Sequence, residues 1–491
     1  MSADALVIWA ILMPFLGATV VAALDRWPNA RETATLITAL ITFLVVMGIY
    51  SAVADGIRPG LVLAEPLPGL PLALEVEPLG MVFGLLASFL WIVTSVYAIG
   101  YLRGHNEQHQ TRFYLFFTIS IGSTLGVAFA ANMFTLFVFY EALTLCTFPL
   151  VTHAGTEEAK KAGRTYLGLL LGTSIGFQLL GIVWTWALTG TLDFRPGGVF
   201  DSDISAGVLG VLFALYVFGI GKAALMPFHR WLPAAMVAPT PVSALLHAVA
   251  VVKAGVFTVL KVSIYLFGME TLTRSGAAEW LAYVAGATIL IASLVAMQKD
   301  NLKARLAYST VSQLSYVVLG AMLVTPLGWL GGAMHIVMHA FAKITLFFCA
   351  GAIMVATHKT EVSQMRGLGR TMPLTMGAFF IGALSIIGLP PLGGMWSKWY
   401  LALGTLDNQQ LLLLAVLMIS SLLNIAYLLP IPIRGFFQQP EAPGGKINGI
   451  KEAPANCVVA LTLTAAGCIA LFFYPDPLYG LLNQISFRGA P

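Results

Sequence analysis

Charged residues are scarce in this chain. Asp, Glu, Lys and Arg together form 10% of its 491 residues, whereas 58% are hydrophobic. Soluble domains carry about 25% charged residues, so the composition excludes an ordinary soluble protein. Apolar stretches of the roughly 20 residues that a membrane-spanning helix needs recur along the whole length. The composition therefore predicts a polytopic membrane protein whose outer surface faces the lipid bilayer.

Cysteines are few, and nucleotide-binding motifs are missing. The four cysteines, Cys146, Cys349, Cys457 and Cys468, all lie inside apolar runs. None has the CxxC or Cys/His spacing of an iron–sulfur or zinc site, and neither GxGxxG nor a Walker sequence is present. We therefore expect no metal site and no cofactor, so any redox or ATP chemistry would belong to partner proteins. The net charge of +4 does not indicate a nucleic-acid partner.

Hydropathy predicts an all-α fold of about fourteen transmembrane helices. The apolar runs lack the residue-by-residue alternation of membrane β-strands. No basic region precedes the first run, so we expect an uncleaved span and not a signal peptide. The predicted helices cover residues 5–24, 34–54, 79–101, 111–130, 132–153, 164–189, 205–237, 241–267, 278–298, 303–324, 328–357, 373–404, 410–433 and 456–474.

Basic residues divide unequally between the two faces that these spans define. One face has Arg26, Arg31, Arg103, Arg112, Lys160, Lys161, Arg164, Arg230, Lys299, Lys303, Arg305, Lys359, Arg366, Arg370, Arg434, Lys446 and Lys451. The other face has only Arg58, Arg195, Arg274 and Arg488. Since cytoplasmic loops are rich in Lys and Arg, this asymmetry predicts that both termini lie outside the cytoplasm.

A few charged residues lie within the spans themselves. Lys222, Lys253, Lys343 and Lys398 lie deep in apolar sequence, and Glu141 is the one acidic residue in the middle of a span. Lys261 is near the end of its predicted helix, so its side chain is expected to snorkel to the interface. Buried ions are costly unless they are paired, and intramembrane ionisable residues usually mark ion pathways.

Two long segments are interrupted at similar places. Pro227 and Pro233 break the segment 205–237, which contains Lys222, and GLPPLGG at 388–394 breaks the segment 373–404 beside Lys398. Matching interruptions in two halves of a chain are typical of transporter repeats. Helices 4–8 and 9–13 would form two five-helix units, and an odd number of spans inverts the second unit. The expected regions are residues 1–110, 111–267, 278–433 and 434–491.

The eleventh predicted helix contains three titratable residues on one face. His335, His339 and Lys343 recur at i, i+4 and i+8, with a step of about 6 Å along the axis. A proton could cross such a gap through one water or a side-chain movement. His247 lies one and a half turns before Lys253 on a different face of the eighth helix, which makes it a weaker candidate.

These residue types suit proton transfer better than sodium binding. Desolvation lowers the pKa of a lysine, and a nearby carboxylate raises it. A mobile pair of Glu141 and one of the lysines could therefore take up a proton when closed and release it when open. Sodium prefers several oxygen ligands, including carboxylates, whereas this interior has one acid and four lysines.

Five stretches closely resemble the antiporter-like subunit family. That family includes large subunits of Mrp-type sodium/proton antiporters and membrane subunits of respiratory complex I and membrane-bound hydrogenases. The resemblance is carried by FVFYEALTL (137–145), GKAALMPFHRWLPAAMVAPTPVSALLHA (221–248), NLKARLAYSTVSQLSY (301–316), HIVMHAFAKITLFF (335–348) and GLPPLGGMWSKWYL (388–401). It implies fourteen helices, an inverted repeat and broken helices 7 and 12, in a bacterial inner membrane.

The resemblance also implies roles for individual residues. Glu141 matches the family's helix 5 glutamate and Lys222 its partner lysine, while Lys253 matches the central lysine of helix 8. The helix 11 row and Lys398, at the terminal helix 12 position, match as well. M-type subunits have glutamate at the last position, and L-type and A-type Mrp subunits have a long extension that this chain lacks. Length and lysines most resemble D-type Mrp subunits.

Three functions are compatible with the sequence. The first is a proton-translocating subunit of a sodium/proton antiporter that assembles with other membrane subunits. The second is a proton-pumping subunit of a redox-driven complex of the complex I or hydrogenase type, since N-type subunits share these features. The third is a membrane scaffold that conducts nothing, although buried titratable groups would be costly for a scaffold.

Overall fold

The computed structural model describes residues 2–439 and 449–485. Lys446, Arg488 and parts of the predicted 434–491 region lie outside the described residues. Within the described part, the predicted helical membrane fold is confirmed, and each of the fourteen predicted segments contains a helix. The helices are α1 (Ala3–Ala23), α2 (Pro28–Ala54), α3 (Pro78–Gly104), α4 (Gln110–Ala128), α5 (Met133–Val151), α6 (Glu157–Thr189), α7 (Ala206–Gly219), α8 (Thr240–Ser275), α9 (Ala277–Gln298), α10 (Leu302–Met322), α11 (Pro326–Thr357), α12a (Pro373–Ile387), α12b (Gly394–Asp407), α13 (Leu411–Phe437) and α14 (Ala455–Phe473).

Ten helices of the described part are long and apolar enough to cross a membrane. Two shorter apolar helices, α7 and α12a, belong to the interrupted segments. Several boundaries differ from the hydropathy prediction because polar caps lengthen the helices. Thr156, for example, accepts a hydrogen bond from the Ala159 amide and starts α6 at Glu157, seven residues before the predicted position 164.

Both predicted interruptions are present. After α7, the chain forms a single 3₁₀ turn, Gly221–Ala223, and does not return to α-helix until the short segment Trp231–Ala234. At the second break, α12a ends at Gly388, whose φ of +89° suits glycine, and α12b begins at Gly394. Each break leaves backbone groups without helical partners inside the bundle; at the second break, Lys398 donates to one of them, the Ile387 carbonyl.

The prediction of helices alone missed a β-hairpin, as well as the short helices Val362–Met365, Leu368–Thr371 and Asp476–Leu482. Strands β1 (Gly60–Leu67) and β2 (Leu70–Glu75) pair antiparallel between α2 and α3. A short bridge joins Leu74 to Ala130, so the hairpin covers the end of α4. Its strands lie in a loop and not in a span, which is why transmembrane hydropathy gave no signal for them.

Contacts between loops form two separate groups. On the basic face, the contacts are Arg103 with Glu32, Arg112 with the His153 carbonyl, Lys303 with the Ala238 carbonyl, and the Gly367 amide with the Arg434 carbonyl. On the opposite face, they are Leu74 with Ala130, Asn132 with Asp193, the Arg195 amide with the Tyr265 carbonyl, and Asn408 with the Leu323 carbonyl. These two groups match the two faces into which the basic residues were sorted.

Two helices occupy the centre of the bundle. Every residue of α8 from Val251 to Phe267 is buried, as is nearly all of α11 from Gly328 to Ile353. In contrast, α2, α13 and α14 leave many large apolar side chains exposed, as helices in contact with lipid would. Of the predicted mid-span lysines, Lys253 and Lys343 lie on these central helices, whereas Lys222 and Lys398 lie beside the two breaks.

Candidate functional site

Glu141 has a carboxylate without a partner. It lies on α5, and both carboxylate oxygens are buried with no hydrogen bond. Among the described residues no ion pair within 4.0 Å joins it to Lys222, so the predicted pair is open in this structure. Buried carboxylates are normally paired or hydrogen-bonded, so this side chain is a candidate functional residue.

Lys222 is instead bound to the residues beside Glu141. Its ammonium donates to the Tyr140 carbonyl at 2.8 Å and to Thr144 Oγ1 at 2.5 Å, and lies 3.2 Å from the centroid of the Tyr140 ring. The lysine belongs to the 3₁₀ turn that follows α7. Consecutive residues of a helix point about 100° apart, so Glu141 faces another direction, and closing the pair requires a side-chain movement.

Lys253 on α8 contacts His339 on α11 through Nζ and Nδ1. Both side chains are fully buried. The rings of His339 and His335 have centroids 5.8 Å apart, as the i, i+4 spacing predicts, and His335 Nδ1 lies 2.8 Å from Ser397 Oγ on α12b. Nε2 of each histidine is buried without a partner. These contacts form a continuous polar row from α8 through α11 to α12b.

Lys343 does not extend this row as its spacing suggested. Its ammonium donates to Ser309 Oγ on α10 at 2.8 Å, and the Tyr427 hydroxyl on α13 lies 3.0 Å from the same oxygen. Tyr427 also bonds Asn424 Oδ1 at 2.5 Å. Lys343 is therefore the start of a branch toward α10 and α13, while His335 contacts α12b and His339 contacts α8.

Lys398 is the outermost residue of the row. Its ammonium donates to the Ile387 carbonyl at 3.0 Å and to Ser421 Oγ at 3.1 Å, and lies 4.9 Å from the centroid of the Tyr316 ring. Tyr316 also stacks on His335, with ring centroids 5.4 Å apart. The half-buried lysine lines a groove of about 620 Å³ between α12b and α13. The row thus extends from the core to a lateral opening of the bundle.

His247 is near the centre but outside the bonded row. It is fully buried in α8, and neither ring nitrogen has a partner. Its ring centroid lies 4.8 Å from that of Phe347, one helical turn after Lys343 on α11. The structure therefore places His247 close to the row without joining it by a hydrogen bond.

Sequence reasoning missed the polar face of α10. Ser309, Gln313 and Tyr316 follow the i, i+4, i+7 spacing of one helical face. Ser309 binds Lys343 and Tyr316 contacts both His335 and Lys398, while the buried Gln313 amide between them has no partner. A buried amide of this kind is usually satisfied by water. The spacing was visible in NLKARLAYSTVSQLSY and could have identified these residues.

The prediction that Lys261 snorkels to the interface is wrong. Lys261 is fully buried, forms an ion pair with Glu77 at 3.2 Å and donates to the Ala130 carbonyl at 2.9 Å. Glu77 also accepts hydrogen bonds from two backbone amides of α3 and from the Tyr265 hydroxyl. In the adjoining hairpin, burial raises the pKa of Glu75, opposed by the charge of Lys261. The hairpin and loops enclose Lys261 and keep it from solvent.

Glu77 and Glu141 therefore differ in what they can do chemically. Glu77 contacts four donors and serves as a structural anchor. Glu141 has none, so no hydrogen bond holds its carboxylate in place. Among the described residues, no group of three or more His, Cys, Asp and Glu side chains could hold a metal ion. The arrangement is suited to moving protons among lysine and histidine nitrogens.

The sequence and the fold of this chain resemble those of known membrane proteins. Residues 130–424 match the sequence family described as NADH:quinone oxidoreductase/Mrp antiporter, TM. The chain belongs to this transmembrane family. It is 33% identical over 427 residues to NADH-quinone oxidoreductase subunit N from Desulforudis audaxviator, with 84% of both chains covered. It is 29% identical to the A-type subunit of the Na(+)/H(+) antiporter from Alkalihalophilus pseudofirmus, covering 96% of this chain and 61% of that one.

The family's fold is also seen in a solved structure. The chain superposes on one protein of the Mrp complex from Dietzia sp. with a TM-score of 0.85 and 22% identity, over 99% of this chain and 97% of the other. Identity at this level supports the shared fold alone. The chain spans about half the length of the chain 5 relatives that it matches in cyanobacterial NAD(P)H-quinone oxidoreductases.

Proposed function

We propose that this chain is the proton-translocating membrane subunit of a multisubunit Na⁺/proton antiporter, of the D type found in Mrp complexes. Protons would pass through the mid-membrane residues Glu141, Lys222, His247, Lys253, His335, His339, Lys343 and Lys398. The observation that carries the proposal is the contact of Lys253 with His339, because it joins basic groups of two central helices into one path.

Proton transfer along the row follows from donor and acceptor chemistry. An ammonium is a donor, and a neutral imidazole nitrogen is an acceptor, so a proton on Lys253 can move to His339. The ring centroids of His339 and His335 are 5.8 Å apart, and one water could link the nitrogens of the two rings. Ser397 and the adjacent Lys398 then connect the row to the lateral groove.

The Glu141–Lys222 pair would act as the switch at the start of the path. In its open form, Lys222 is held by the Tyr140 carbonyl and Thr144. Approach of the carboxylate would stabilise the ammonium, and its withdrawal would favour proton release. Gly255 on α8 packs directly on the backbone of Lys222, so movement at this break is transmitted to the helix that carries Lys253.

The coupled cation would cross in partner subunits. The row has an excess of cationic groups and one unpaired carboxylate, which is unfavourable for Na⁺. The broken segments support an inverted repeat of helices 4–8 and 9–13, with a lysine bound to backbone or hydroxyl oxygens near each break. The basic loops support an inner-membrane orientation with both termini outside the cytoplasm.

Vesicles containing the intact complex test the proposal. Lys253→Met should reduce Na⁺-dependent dissipation of a pH gradient at least tenfold while leaving assembly unchanged, because it removes the donor that contacts His339. Lys160→Met is the matched control, since Lys160 is exposed and pairs only with Glu157 at the surface. Full transport by Lys253→Met would refute the proposal, and loss of assembly would favour the scaffold function.

A second function, proton pumping in a redox-driven complex, is favoured by the 33% identity to an N-type relative. The same row of residues could carry protons in either complex, because the driving reaction, Na⁺ exchange or electron transfer, would take place in partner subunits. Vesicles separate the two functions. Proton movement that responds to added Na⁺ without an electron donor supports the antiporter, whereas movement that requires a donor and quinone supports the pump.

A further inference from the structure

Tyr316 on α10 contacts two basic groups of the row at once. Its side chain is fully buried. The centroid of its ring lies 5.4 Å from that of His335 on α11, with 19° between the two ring planes, and 4.9 Å from the ammonium of Lys398 on α12b. A single aromatic ring therefore touches both the last histidine of the row and the lysine that follows it.

Contacts with α13 fix the ring and the lysine relative to each other. The Tyr316 hydroxyl donates to the Leu417 carbonyl of α13 at 3.4 Å. Lys398 donates to Ser421 Oγ, one turn later on the same helix, at 3.1 Å. The stem of the lysine passes over Gly388, where a β-carbon would lie 2.7 Å from Lys398 Cδ. The tyrosine and the lysine therefore reach α13 at adjacent turns, which keeps the ammonium close to the ring.

The first break has the same pair of residue types. The ring centroid of Tyr140 on α5 lies 3.2 Å from the ammonium of Lys222, and the Tyr140 hydroxyl accepts a hydrogen bond from the Lys222 backbone amide at 3.1 Å. In both halves of the chain, the lysine follows the tyrosine by 82 positions. Two copies of one five-helix unit would have this equal spacing. The contact between ring and ammonium is thus common to both halves.

The two halves differ in the residue that follows the tyrosine. Glu141 follows Tyr140, whereas Val317 follows Tyr316. Among the described residues, no carboxylate lies within 4.0 Å of the Lys398 ammonium. An aromatic ring attracts an ammonium through its quadrupole but has no net charge. The ring therefore holds the lysine in place while favouring the protonated form less than a carboxylate partner would.

We propose that Tyr316 is a positioning residue for proton transfer at the end of the row, and that its ring holds the ammonium of Lys398 beside His335. The inference rests on the proposed function. The tyrosine acts through Lys398 and is not itself a step of the path. Without the ring, the lysine keeps its bonds to the Ile387 carbonyl and Ser421, which both line the groove between α12b and α13. Its ammonium would then be held on the groove side, away from His335.

Substitutions of the ring in the intact complex test this role. Tyr316→Leu removes the ring and should slow the initial rate of pH-gradient dissipation in vesicles about tenfold, whereas Tyr316→Phe keeps the ring and should recover most of that loss. Phenylalanines with one, two and three ring fluorines at position 316 nearly keep the size of the side chain but withdraw electron density from its face. The rate should therefore fall stepwise with each fluorine. A series without this decrease would overturn the inference, even if Tyr316→Leu fails to assemble.

Tyr308 provides a matched control on the same helix. Its ring faces the exposed Lys299, whose ammonium lies 5.7 Å from the ring centroid and outside the row. The same fluorinated series at position 308 should leave the transport rate unchanged. A decrease as large as that at position 316 would show that fluorine acts through the packing of α10, and the inference would be rejected.

A second control removes the ammonium itself. In a Lys398→Met background, the series at position 316 should leave the residual rate unchanged, because no cation remains for the ring to hold. A stepwise decrease in this background would mean that the ring acts through His335 or through packing alone, which contradicts the positioning of Lys398.

The outcome for Tyr316 can be separated from that for the proposed function. If Lys253→Met abolishes transport and the series at position 316 has no effect, the row stands and the positioning role is rejected. If Lys253→Met transports at the normal rate, the proposed function fails whatever the series shows.

Discussion

Lys398 offers the sharpest test of whether the row exchanges protons or only contains charge. Arginine at this position would keep a positive charge but could not release a proton, because its pKa exceeds about 12. Lys398→Met would remove the charge and retain most of the side-chain volume. The two substitutions together therefore separate electrostatic from proton-transfer roles.

The structure indicates that the fold should tolerate the methionine. The ammonium loses its bonds to the Ile387 carbonyl and Ser421, each worth about 1.5–3 kcal/mol for a charged donor. Removing a buried cation also removes the free-energy penalty of taking that cation out of water, which is several kcal/mol. Ile387 and Ser421, whose oxygens are left behind, line a groove of about 620 Å³, so the side chains there have room to adjust. The net change in stability should be on the order of 1 kcal/mol, and the complex should assemble.

Transport should fall much further than stability. Placing a charge in the membrane interior costs about 3 kcal/mol on the scales that give the lowest values. A proton that crosses this region without a titratable side chain to carry it would face this cost. Since each 1.36 kcal/mol corresponds to a factor of ten in rate, both Lys398→Met and Lys398→Arg should be slowed by about 100-fold. The measurement is the initial rate of pH-gradient dissipation in vesicles with equal amounts of complex. A wild-type rate for the arginine variant would refute proton release at this position.

Three further substitutions distinguish transport residues from structural ones. Glu141→Gln should abolish transport without lowering the yield of complex, since the carboxylate makes no hydrogen bond; normal transport would exclude a switching role. Lys261→Met should lower the melting temperature of the complex, because breaking the buried pair with Glu77 costs about 3–5 kcal/mol; an unchanged melting temperature would contradict the anchor. Ser309→Ala removes the partner of the α11 lysine and should slow transport up to tenfold, whereas Ser315→Ala, whose hydroxyl bonds its own helix, should not.

The positions of the membrane helices could be predicted because they depend on local composition. A span needs a run of apolar residues, whichever neighbours it later acquires. The two breaks were visible for the same reason, since proline and glycine interrupt a helix by their own covalent structure. The hairpin Gly60–Glu75 was not predicted, because its strands depend on pairing with each other and on contact with the end of α4.

The partners of the buried charges could not be read from the chain. Lys343 has the spacing to follow His339, yet its ammonium binds Ser309 of another helix. Lys261 was expected to reach the interface, but the hairpin and the start of α3 enclose it with Glu77. In both cases the deciding residue lies far away in sequence, and hydropathy contains no information about which helices become neighbours.

The sequence by itself determined that the chain is a helical membrane protein with breaks and buried titratable residues, because hydropathy and backbone chemistry are properties of single residues and short segments. Only the tertiary structure decided which of those residues meet. Lys253 contacts His339 across 86 positions of sequence because α8 and α11 pack together at the centre of the bundle. Proton transfer requires donors and acceptors within a few ångströms of one another, and the packing of the helices sets that distance.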